Sequence, residues 1–175
     1  MDIKLIRPDK KYAGQVMDFK KALAENNEGF DGCAGLEDVE SFEEWLDFEE
    51  RLKKKFGGGY VPSDVFLAVR ENDDRVVGIM DLRRELSDFL LNYGGSIGYS
   101  VLPSERRKGY GGEMLRLILD YCRELGKERV LLTCDRKNEA SRKVIMNNGG
   151  VLENTVHDDV GLCNGGVIER YWIIL

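Results

Sequence analysis

The stretch most able to do chemistry is Ser96 to Met114, which reads SIGYSVLPSERRKGYGGEM. A β-rich run ends at Pro103, the cations Arg106–Lys108 follow, and the glycine-rich segment Gly109–Gly112 opens an amphipathic helical pattern. Helix N-termini present unpaired N–H groups and the positive end of the helix macrodipole. A glycine-rich turn that leads into a helix is therefore a natural cradle for phosphate. The stretch predicts that the protein binds a phosphorylated ligand.

Hydrophobic periodicity predicts the elements that position this loop. Their order, β-α-α-β-β-β-α-β-α-β-β, is typical of a mixed-sheet α/β domain, and we expect one domain over residues 1–175. The strand before Arg106 and the strand after Gly126 are expected to be parallel neighbours joined by a right-handed crossover. The predicted strands are Asp2–Arg7, Val65–Glu71, Arg75–Leu82, Ser96–Leu102, Arg129–Cys134, Val151–Val156 and Val167–Leu175, and the predicted helices are Val16–Leu23, Asp38–Phe56 (ended by Gly57–Gly59), Tyr110–Leu125 and Lys137–Asn148.

Composition and charge exclude several classes of protein. A hydrophobic share of 42% with 33% charged residues is ordinary for a globular protein, and no apolar run reaches the roughly 18 residues of a membrane span. We expect a cytoplasmic protein without a membrane partner. A net charge of −6 argues against nucleic-acid binding, which needs a basic surface. The four cysteines show no C-x-x-C spacing, so we expect free thiols and no metal.

The sequence of this loop does not match two other phosphate-binding motifs. A dinucleotide-binding G-x-G-x-x-G would need a third glycine where Met114 stands, and too little chain follows Asp135 to complete a doubly wound sheet. The nucleoside triphosphatase motif G-x-x-x-x-G-K-S/T is absent from the sequence. The loop therefore belongs to a different kind of phosphate site.

The loop resembles that of the GNAT superfamily of N-acetyltransferases. Residues Arg106–Gly111, RRKGYG, match the pattern Q/R-x-x-G-x-G/A between the fourth strand and the third helix of that family. Asn138, after the run VLLTC, stands where the family has an Asn at the start of the next helix. The segments GYSVLPSERRKGYGGEML and NEASRKVIMNNGGVLEN are most similar to the branch of ribosomal-protein N-terminal acetyltransferases and to bacterial predicted acetyltransferases. The fold similarity covers nearly the whole chain, and the specific motifs cover about Gly95 to Glu153.

The resemblance implies a GNAT-like acyl-CoA N-acyltransferase fold with acetyl-CoA as cosubstrate. The N–H groups of Arg107–Gly112 would hold the pyrophosphate of coenzyme A, and Arg106 and Lys108 would supply charge. In the family the fourth and fifth strands splay apart, so pantetheine would pair with the exposed edge of the fourth strand, Tyr99 to Leu102, chiefly at Val101. Asn138 would contact the cofactor from the other wall. The implied cofactor-binding residues are Val101, Leu102, Arg106, Arg107, Lys108, Gly109, Tyr110, Gly111, Gly112, Asn138 and Ser141.

The sequence departs from the family at its two usual catalytic positions. Many relatives place a Glu on the fourth strand as base, but Gly95–Tyr99 contains no carboxylate. Many also place a Tyr seven residues after the Asn as acid, and that position is Ile145. An amine with a pKa near 10.4 is mostly charged at pH 7, so a base or a water chain is still expected.

Substitutes for both groups can be named. Ser141 matches a Ser of the ribosomal branch and could protonate the leaving sulfur, or it could be an ordinary capping or surface serine. Asp81 and Glu85 could act as base, or they could pair with nearby arginines. Tyr99 could relay a proton through water or only pack against the cofactor. These four residues are the candidate catalytic set.

Two further residues have reactive side chains, but each has a simpler interpretation. Cys134 could act as a covalent nucleophile, although a cysteine in a buried apolar run usually serves packing. His157, the only histidine, lies in a polar stretch that predicts an exposed loop.

The acceptor is predicted from the charge of the first two helices and their loop, which set acceptor choice in the superfamily. Glu25, Glu28, Asp31 and the acidic second helix would favour a small-molecule or peptide amine, such as a polyamine, an aminoglycoside or a peptide N-terminus. An ordinary solvated face is the alternative.

The predicted function is acetyl-CoA-dependent N-acetylation by direct attack, and the alternative is an acyl-CoA-binding sensor or assembly protein without turnover. Dimers among relatives make a homodimer an expectation.

Overall fold

The predicted order of elements is confirmed by the structure, a computed structural model that describes residues 2–54 and 58–175. Its helices and strands begin and end within a few residues of the predicted bounds. The second helix ends at Leu52, earlier than predicted, because Lys53 and Lys54 form a turn and a bend. The predicted end at Phe56 and Gly57 lies outside the described residues. The elements are β1 (Ile3–Ile6), α1 (Ala13–Glu25), α2 (Phe42–Leu52), β2 (Ser63–Arg70), β3 (Arg75–Arg83), β4 (Ile97–Val101), α3 (Tyr110–Glu124), β5 (Arg129–Asp135), α4 (Glu139–Asn147), β6 (Val151–His157) and β7 (Val167–Ile174).

The strands form two antiparallel sheets. The first has the order β1-β2-β3-β4, and the second has the order β5-β7-β6. The β2–β3 hairpin turns through Asp73 and Asp74, and Asp74 adopts a left-handed φ of 56°, as the polar turn sequence indicates. Within residues 2–54 and 58–175, no helix combines the length and apolarity that crossing a membrane requires.

Helices cover both faces of the first sheet, which explains why β2 is buried along most of its length. Alternate residues of a strand point to opposite faces. Val65 and Leu67 therefore join the cluster under α1 and α2, whereas Phe66 and Ala68 join the cluster under α3. Trp45 of α2 is fully buried in its cluster, and its indole Nε1–H donates to the carbonyl of Cys33 at 2.9 Å. This bond fixes α2 to the loop that follows α1.

The strands β4 and β5 are neighbours, as expected, and they meet at one junction before they separate. The Ser96 amide donates to the Leu131 carbonyl at 2.6 Å, and the Leu131 amide donates to Ser96 Oγ at 3.1 Å. After this point the two strands belong to different sheets, and β5 takes its ladder partner from β7 instead. The edge of β4 from Ile97 to Val101 is therefore left without a strand partner in the described chain.

A buried carboxylate organises the loop between β6 and β7. Asp158 is 3% exposed and accepts backbone N–H groups from Leu162 at 2.9 Å and Cys163 at 2.5 Å, with longer bonds from Val160 and Gly165. Burial alone would raise the pKa of Asp158, but these donors outweigh it and hold the pKa well below its usual range.

We expect Asp158 to stabilise the fold at neutral pH and to lose that effect in acid. Because its folded pKa lies below the unfolded value of about 3.9, the contribution is present above about pH 4 and disappears as pH falls through that value toward the folded pKa. Asp158→Asn should lower the melting temperature at pH 7, and the difference from the parent should shrink at pH 3. The exposed neighbour Asp159→Asn is the control. An Asp158→Asn deficit that is independent of pH would contradict the assignment.

Candidate active site

The N-terminus of α3 has no side-chain cap, because a glycine occupies its N-cap position. In α2 the side chain of Ser41 caps the first turn, and in α4 the side chain of Asn138 does so. Gly109 holds this position in α3 with a left-handed φ of 87°, and no side chain caps the turn. The first-turn amides of α3, from Tyr110 onward, thus face outward as donors for an anion.

A narrow space between β4 and α4 leads away from this helix terminus. A Cβ atom added at Gly111 would lie 3.6 Å from the Tyr99 and Val144 side chains and 3.7 Å from Val101. These are ordinary contact distances, so Gly111 leaves room for about one methyl group between the first turn of α3 and these three side chains. A Cβ atom at Gly112 would meet nothing within 4 Å. The residues present therefore fit a pyrophosphate at α3 followed by a pantetheine along β4.

The open edge of β4 presents Val101 but not Leu102. The Leu102 amide donates to the carbonyl of Val77 in β3 at 2.9 Å, and its side chain packs in the cluster under α1 and α2. Because amides alternate between the two edges of a strand, the Val101 amide points away from β3. Of the two predicted pantetheine contacts, only Val101 lies on the open edge.

The predicted loop cations are already engaged by carboxylates. Arg106 Nε donates to the Val101 carbonyl at 3.1 Å, and its guanidinium forms two bonds to Glu28, one of them at 2.6 Å. Lys108 Nζ lies 2.9 Å from Glu105, whose pKa is lowered first by that contact and also by Arg70. Arg106 thus bridges the cofactor loop, the β4 edge and the loop after α1.

Two other loop residues have different exposures. Arg107 is exposed and holds a left-handed φ of 60°. Tyr110 is buried, and its hydroxyl accepts a bond from Arg70 Nη1 at 2.9 Å. The Tyr110 side chain therefore fixes the helix, and only its backbone remains for a ligand.

We expect Glu28→Gln to tighten coenzyme A binding about two- to fivefold, because it frees Arg106 from an exposed ion pair worth roughly 1 kcal/mol or less. Isothermal titration calorimetry measures the change. Glu25→Gln is the control, because Glu25 is the last residue of α1 and pairs with Lys21. Weaker binding in Glu28→Gln would show that the pair holds Arg106 in its binding position instead.

Two of the four catalytic candidates meet across the space between β4 and α4. Tyr99 Oη and Ser141 Oγ lie 3.1 Å apart, and either can be the donor. Burial raises the pKa of Tyr99 to about 12, although the bond to Ser141 opposes the rise. The phenol is therefore neutral at pH 7 and can donate a proton. Asn138 Oδ1 accepts the Ser141 amide at 3.0 Å, which places Ser141 on the first turn of α4.

The two predicted bases lie in different surroundings. Asp81 is buried, and each of its carboxylate oxygens has a donor: the Gly98 amide at 3.1 Å and Arg83 Nε at 3.1 Å. Arg83 is itself tied to the carbonyl of Gly94 at 2.7 Å. Glu85 is exposed and lies beyond the end of β3, outside the β3–β4 ladder. Neither carboxylate lies on the open edge of β4.

A third carboxylate, that of Asp31, lies beside β4. The sequence predicted it only as one of the acidic residues of the loop between the first two helices. The carbonyl of Asp31 accepts a bond from Ser100 Oγ at 2.8 Å, and the next residue, Gly32, lies directly on the backbone of Gly98 and Tyr99. A Cβ atom at Gly32 would be only 2.2 Å from the carbonyl of Gly98. The closely spaced glycines at 29, 32 and 35 were the sequence signal for this close approach.

The Asp31 side chain is accessible to solvent, yet many protein atoms surround it. This desolvation is the main cause of its raised pKa, and Asp81 adds to the rise while Arg83 opposes it. An accessible carboxylate with a raised pKa is a stronger base than an ordinary aspartate and can accept a proton.

The remaining two residues fit their simpler interpretations. Cys134 is buried in the cluster under α3, and burial raises the pKa of its thiol to about 11, so it is not a thiolate at pH 7. His157 is exposed, and its Nδ1 lies 3.0 Å from Asp159.

The fold is shared with solved acetyltransferase structures. RimL, a ribosomal L7/L12 alpha-N-protein acetyltransferase in complex with coenzyme A, superposes with a TM-score of 0.74 at 18% identity, over 99% of this chain and 94% of that chain. The microcin C7 self-immunity acetyltransferase MccE, in complex with acetyl-CoA and AMP, gives 0.71 at 14% identity over 99% and 93%. Mutant forms of the spermidine/spermine N-acetyltransferase SpeG from Vibrio cholerae give 0.68 at 15% identity over 99% and 95%. At these identities the likeness establishes the fold.

Sequence comparison identifies the family, whereas the structural likeness establishes only the fold. No curated protein matches the chain in a sequence search. The family model of the acetyltransferase (GNAT) domain matches residues 38–151, a segment that contains β4, the glycine loop, Asn138 and Ser141. That match spans more than half of the chain, and the chain therefore belongs to the GNAT family of N-acetyltransferases.

Proposed function

We propose that this enzyme transfers an acetyl group from acetyl-CoA directly to a cationic primary amine. The observation that carries the proposal is the Tyr99–Ser141 pair, which spans a space bounded by the open edge of β4 and the uncapped N-terminus of α3. Acetyl-CoA would supply the acetyl group as a reactive thioester. Family membership favours an enzyme over the alternative of a sensor without turnover.

The binding roles follow from the exposed backbone donors. The first-turn amides of α3 would hold the pyrophosphate, and Arg106 would join them once it leaves Glu28. The Val101 amide on the β4 edge would pair with pantetheine. An amide of that edge can also stabilise the negative charge that develops on the thioester oxygen. Asn138 would act chiefly by capping α4 and holding Ser141 in place.

The acid role is proposed for Ser141, supported by Tyr99. If the Tyr99 hydroxyl donates to Ser141 Oγ, the proton of Ser141 is free to point into the space toward the departing sulfur. Tyr99 can then restore that proton, because its raised pKa of about 12 keeps it protonated at neutral pH. This pair would replace the tyrosine whose usual position is taken by Ile145, a fully buried residue.

A cationic acceptor is supported by the charges around the loop after α1. Asp31, Glu37 and Glu28 lie on or beside that loop, and the pKa values of Asp31 and Glu37 are raised, chiefly by desolvation. Negative charge at the entrance attracts ammonium groups. The solved relatives named for spermidine and for a protein alpha-amino group also act on amines of this kind.

The test measures free thiol release with acetyl-CoA and a panel of spermidine, an aminoglycoside and a peptide with a free N-terminus. We expect turnover with at least one cationic amine, and none when the amine is capped. Coenzyme A should raise the melting temperature, since it binds only the native state. Coenzyme A binding without turnover on any amine would favour the sensor, and the absence of binding would overturn the proposal.

Ser141→Ala and Tyr99→Phe are expected to lower kcat about 10- to 100-fold while leaving the affinity for coenzyme A within about twofold. If the two hydroxyls act as a unit, the double variant should be little slower than the slower single variant. Steady-state kinetics and calorimetry on the three variants check this. Additive losses would contradict a shared proton path.

A further inference from the structure

The loop between α1 and α2 is anchored on β4 by its backbone. Gly32 and Gly98 approach so closely that a Cβ atom on Gly98 would lie 2.7 Å from the Gly32 nitrogen. The Ser100 hydroxyl holds the carbonyl of Asp31 at 2.8 Å, and the Trp45 indole holds the carbonyl of Cys33 at 2.9 Å. The position of Asp31 is therefore fixed from both sides, relative to the same strand that carries Tyr99.

The Asp31 carboxylate differs from the neighbouring Asp81 carboxylate in what it contacts. Both oxygens of Asp81 are occupied, by Gly98 and by Arg83. No hydrogen-bond donor from residues 2–54 or 58–175 reaches the carboxylate of Asp31, and its side chain is accessible to solvent. A fixed, accessible carboxylate with free lone pairs can accept a proton, whereas a buried carboxylate with two donors is held as a structural anion.

We propose that Asp31 is the general base that takes a proton from the ammonium group of the acceptor. The inference rests on the proposed acetyl transfer and assigns the group that the fourth strand lacks. Asp81 is then a positioning residue, which holds the Gly98 backbone against which Gly32 is seated.

The protons balance as follows. The acceptor ammonium gives one proton to the Asp31 carboxylate, directly or through one water, and Asp31 later releases it to solvent. The neutral amine forms the new C–N bond at the thioester carbon, and the C–S bond breaks. The sulfur gains a proton from Ser141, and the second proton that the nitrogen loses as the amide forms returns to the Ser141–Tyr99 pair, directly or through water. The net products are therefore the amide, coenzyme A as a thiol and one proton.

The environment of Asp31 suits this role. Desolvation raises its pKa most, the negative charge of Asp81 raises it further, and Arg83 opposes both. A raised pKa strengthens the carboxylate as a base, and Arg83 opposes the rise. The titratable groups that interact with Asp31 are Asp81 and Arg83 of β3, Tyr99 of β4, and Cys33 and Glu37 of its own loop.

The experiment compares the pH dependence of kcat/KM for the parent and Asp31→Asn with the best amine of the panel. We expect Asp31→Asn to be about 100-fold slower at pH 7. Its rate should rise about tenfold per pH unit up to the pKa of the amine, because only acceptor that is already neutral reacts. The parent should instead show a plateau whose acid limb lies above pH 3.8, since the pKa of Asp31 is raised from that value.

Controls separate this role from a structural or electrostatic one. Asp38→Asn removes a carboxylate from the same loop and should leave the profile unchanged. Coenzyme A affinity and melting temperature of Asp31→Asn should match the parent, and Asp31→Glu should recover part of the rate. An Asp31→Asn profile parallel to that of the parent, or a lost acid limb in Asp81→Asn instead, would overturn the assignment. An inactive parent would overturn the proposed function itself, which distinguishes the two failures.

Discussion

Gly111→Asp should weaken coenzyme A binding about 10³-fold while leaving the protein folded, a loss equivalent to about 4 kcal/mol. The new side chain would project into the space bounded by Tyr99, Val144 and Val101. There its carboxylate would meet both the volume of the ligand and the negative charge of the pyrophosphate. Placing like charges side by side in such a site costs several kcal/mol.

The fold should tolerate the Gly111→Asp change for two reasons. The backbone of Gly111 is not in a left-handed conformation, and its Cβ would have no contact shorter than 3.6 Å. An acidic residue in the first turn of a helix also interacts favourably with the macrodipole, by about 0.3–1 kcal/mol. The melting temperature without ligand should therefore stay the same or rise slightly.

The matched control for Gly111→Asp is Gly14→Asp. Gly14 is the second residue of α1, as Gly111 is the second residue of α3, and a Cβ atom on Gly14 would meet nothing within 4 Å. Calorimetry should show full coenzyme A affinity for this control. Equal affinity in the two variants would mean that the ligand does not pass the N-terminus of α3.

Gly32→Ala should reduce acetyl transfer about 10³-fold while coenzyme A affinity stays within about threefold. The added Cβ would lie 2.2 Å from the backbone of Gly98 and 2.5 Å from the Tyr99 amide nitrogen, a separation that no side-chain adjustment can relieve. The loop must therefore lift from β4, and it carries Asp31 and the acidic entrance with it. The glycine turn at the start of α3 is built from other residues and should keep its conformation. Its link to the moving loop, the Arg106–Glu28 ion pair, should break, which changes coenzyme A affinity by no more than a few-fold.

Part of the Gly32→Ala effect would come from backbone strain alone, since Gly32 has a φ of 72°. Gly126→Ala is the matched control, because Gly126 has a φ of 71° and open space where the Cβ would lie. We expect both variants to lose about 1 kcal/mol of stability from the left-handed conformation. Only Gly32→Ala should lose turnover, as measured by thiol release at saturating acetyl-CoA. Full activity in Gly32→Ala would show that the loop position does not matter for transfer.

Local patterns in the sequence determined the fold and the cofactor loop. Glycine spacing, the proline stop and the helical period around Gly109–Gly112 are features of neighbouring residues, and they predicted the strand, loop and helix correctly. The start of a helix near Asn138 was predicted in the same way, whereas its role as the cap of α4 appears only in the structure. Such features need no knowledge of the rest of the chain, because turns and helix termini depend on short-range contacts.

The tertiary structure alone decided which polar side chains contact each other. Arg106 is separated from Glu28 by 78 positions and Tyr99 from Ser141 by 42, so no local pattern reports either contact. The proposed role of Asp31 likewise depends on tertiary contacts, because its loop lies on β4 while both oxygens of the neighbouring Asp81 have donors. The sequence by itself determined an acetyltransferase fold with a glycine-rich turn at the start of α3, whereas the proposed catalytic assignments depend on distances and desolvation that only the packed chain creates.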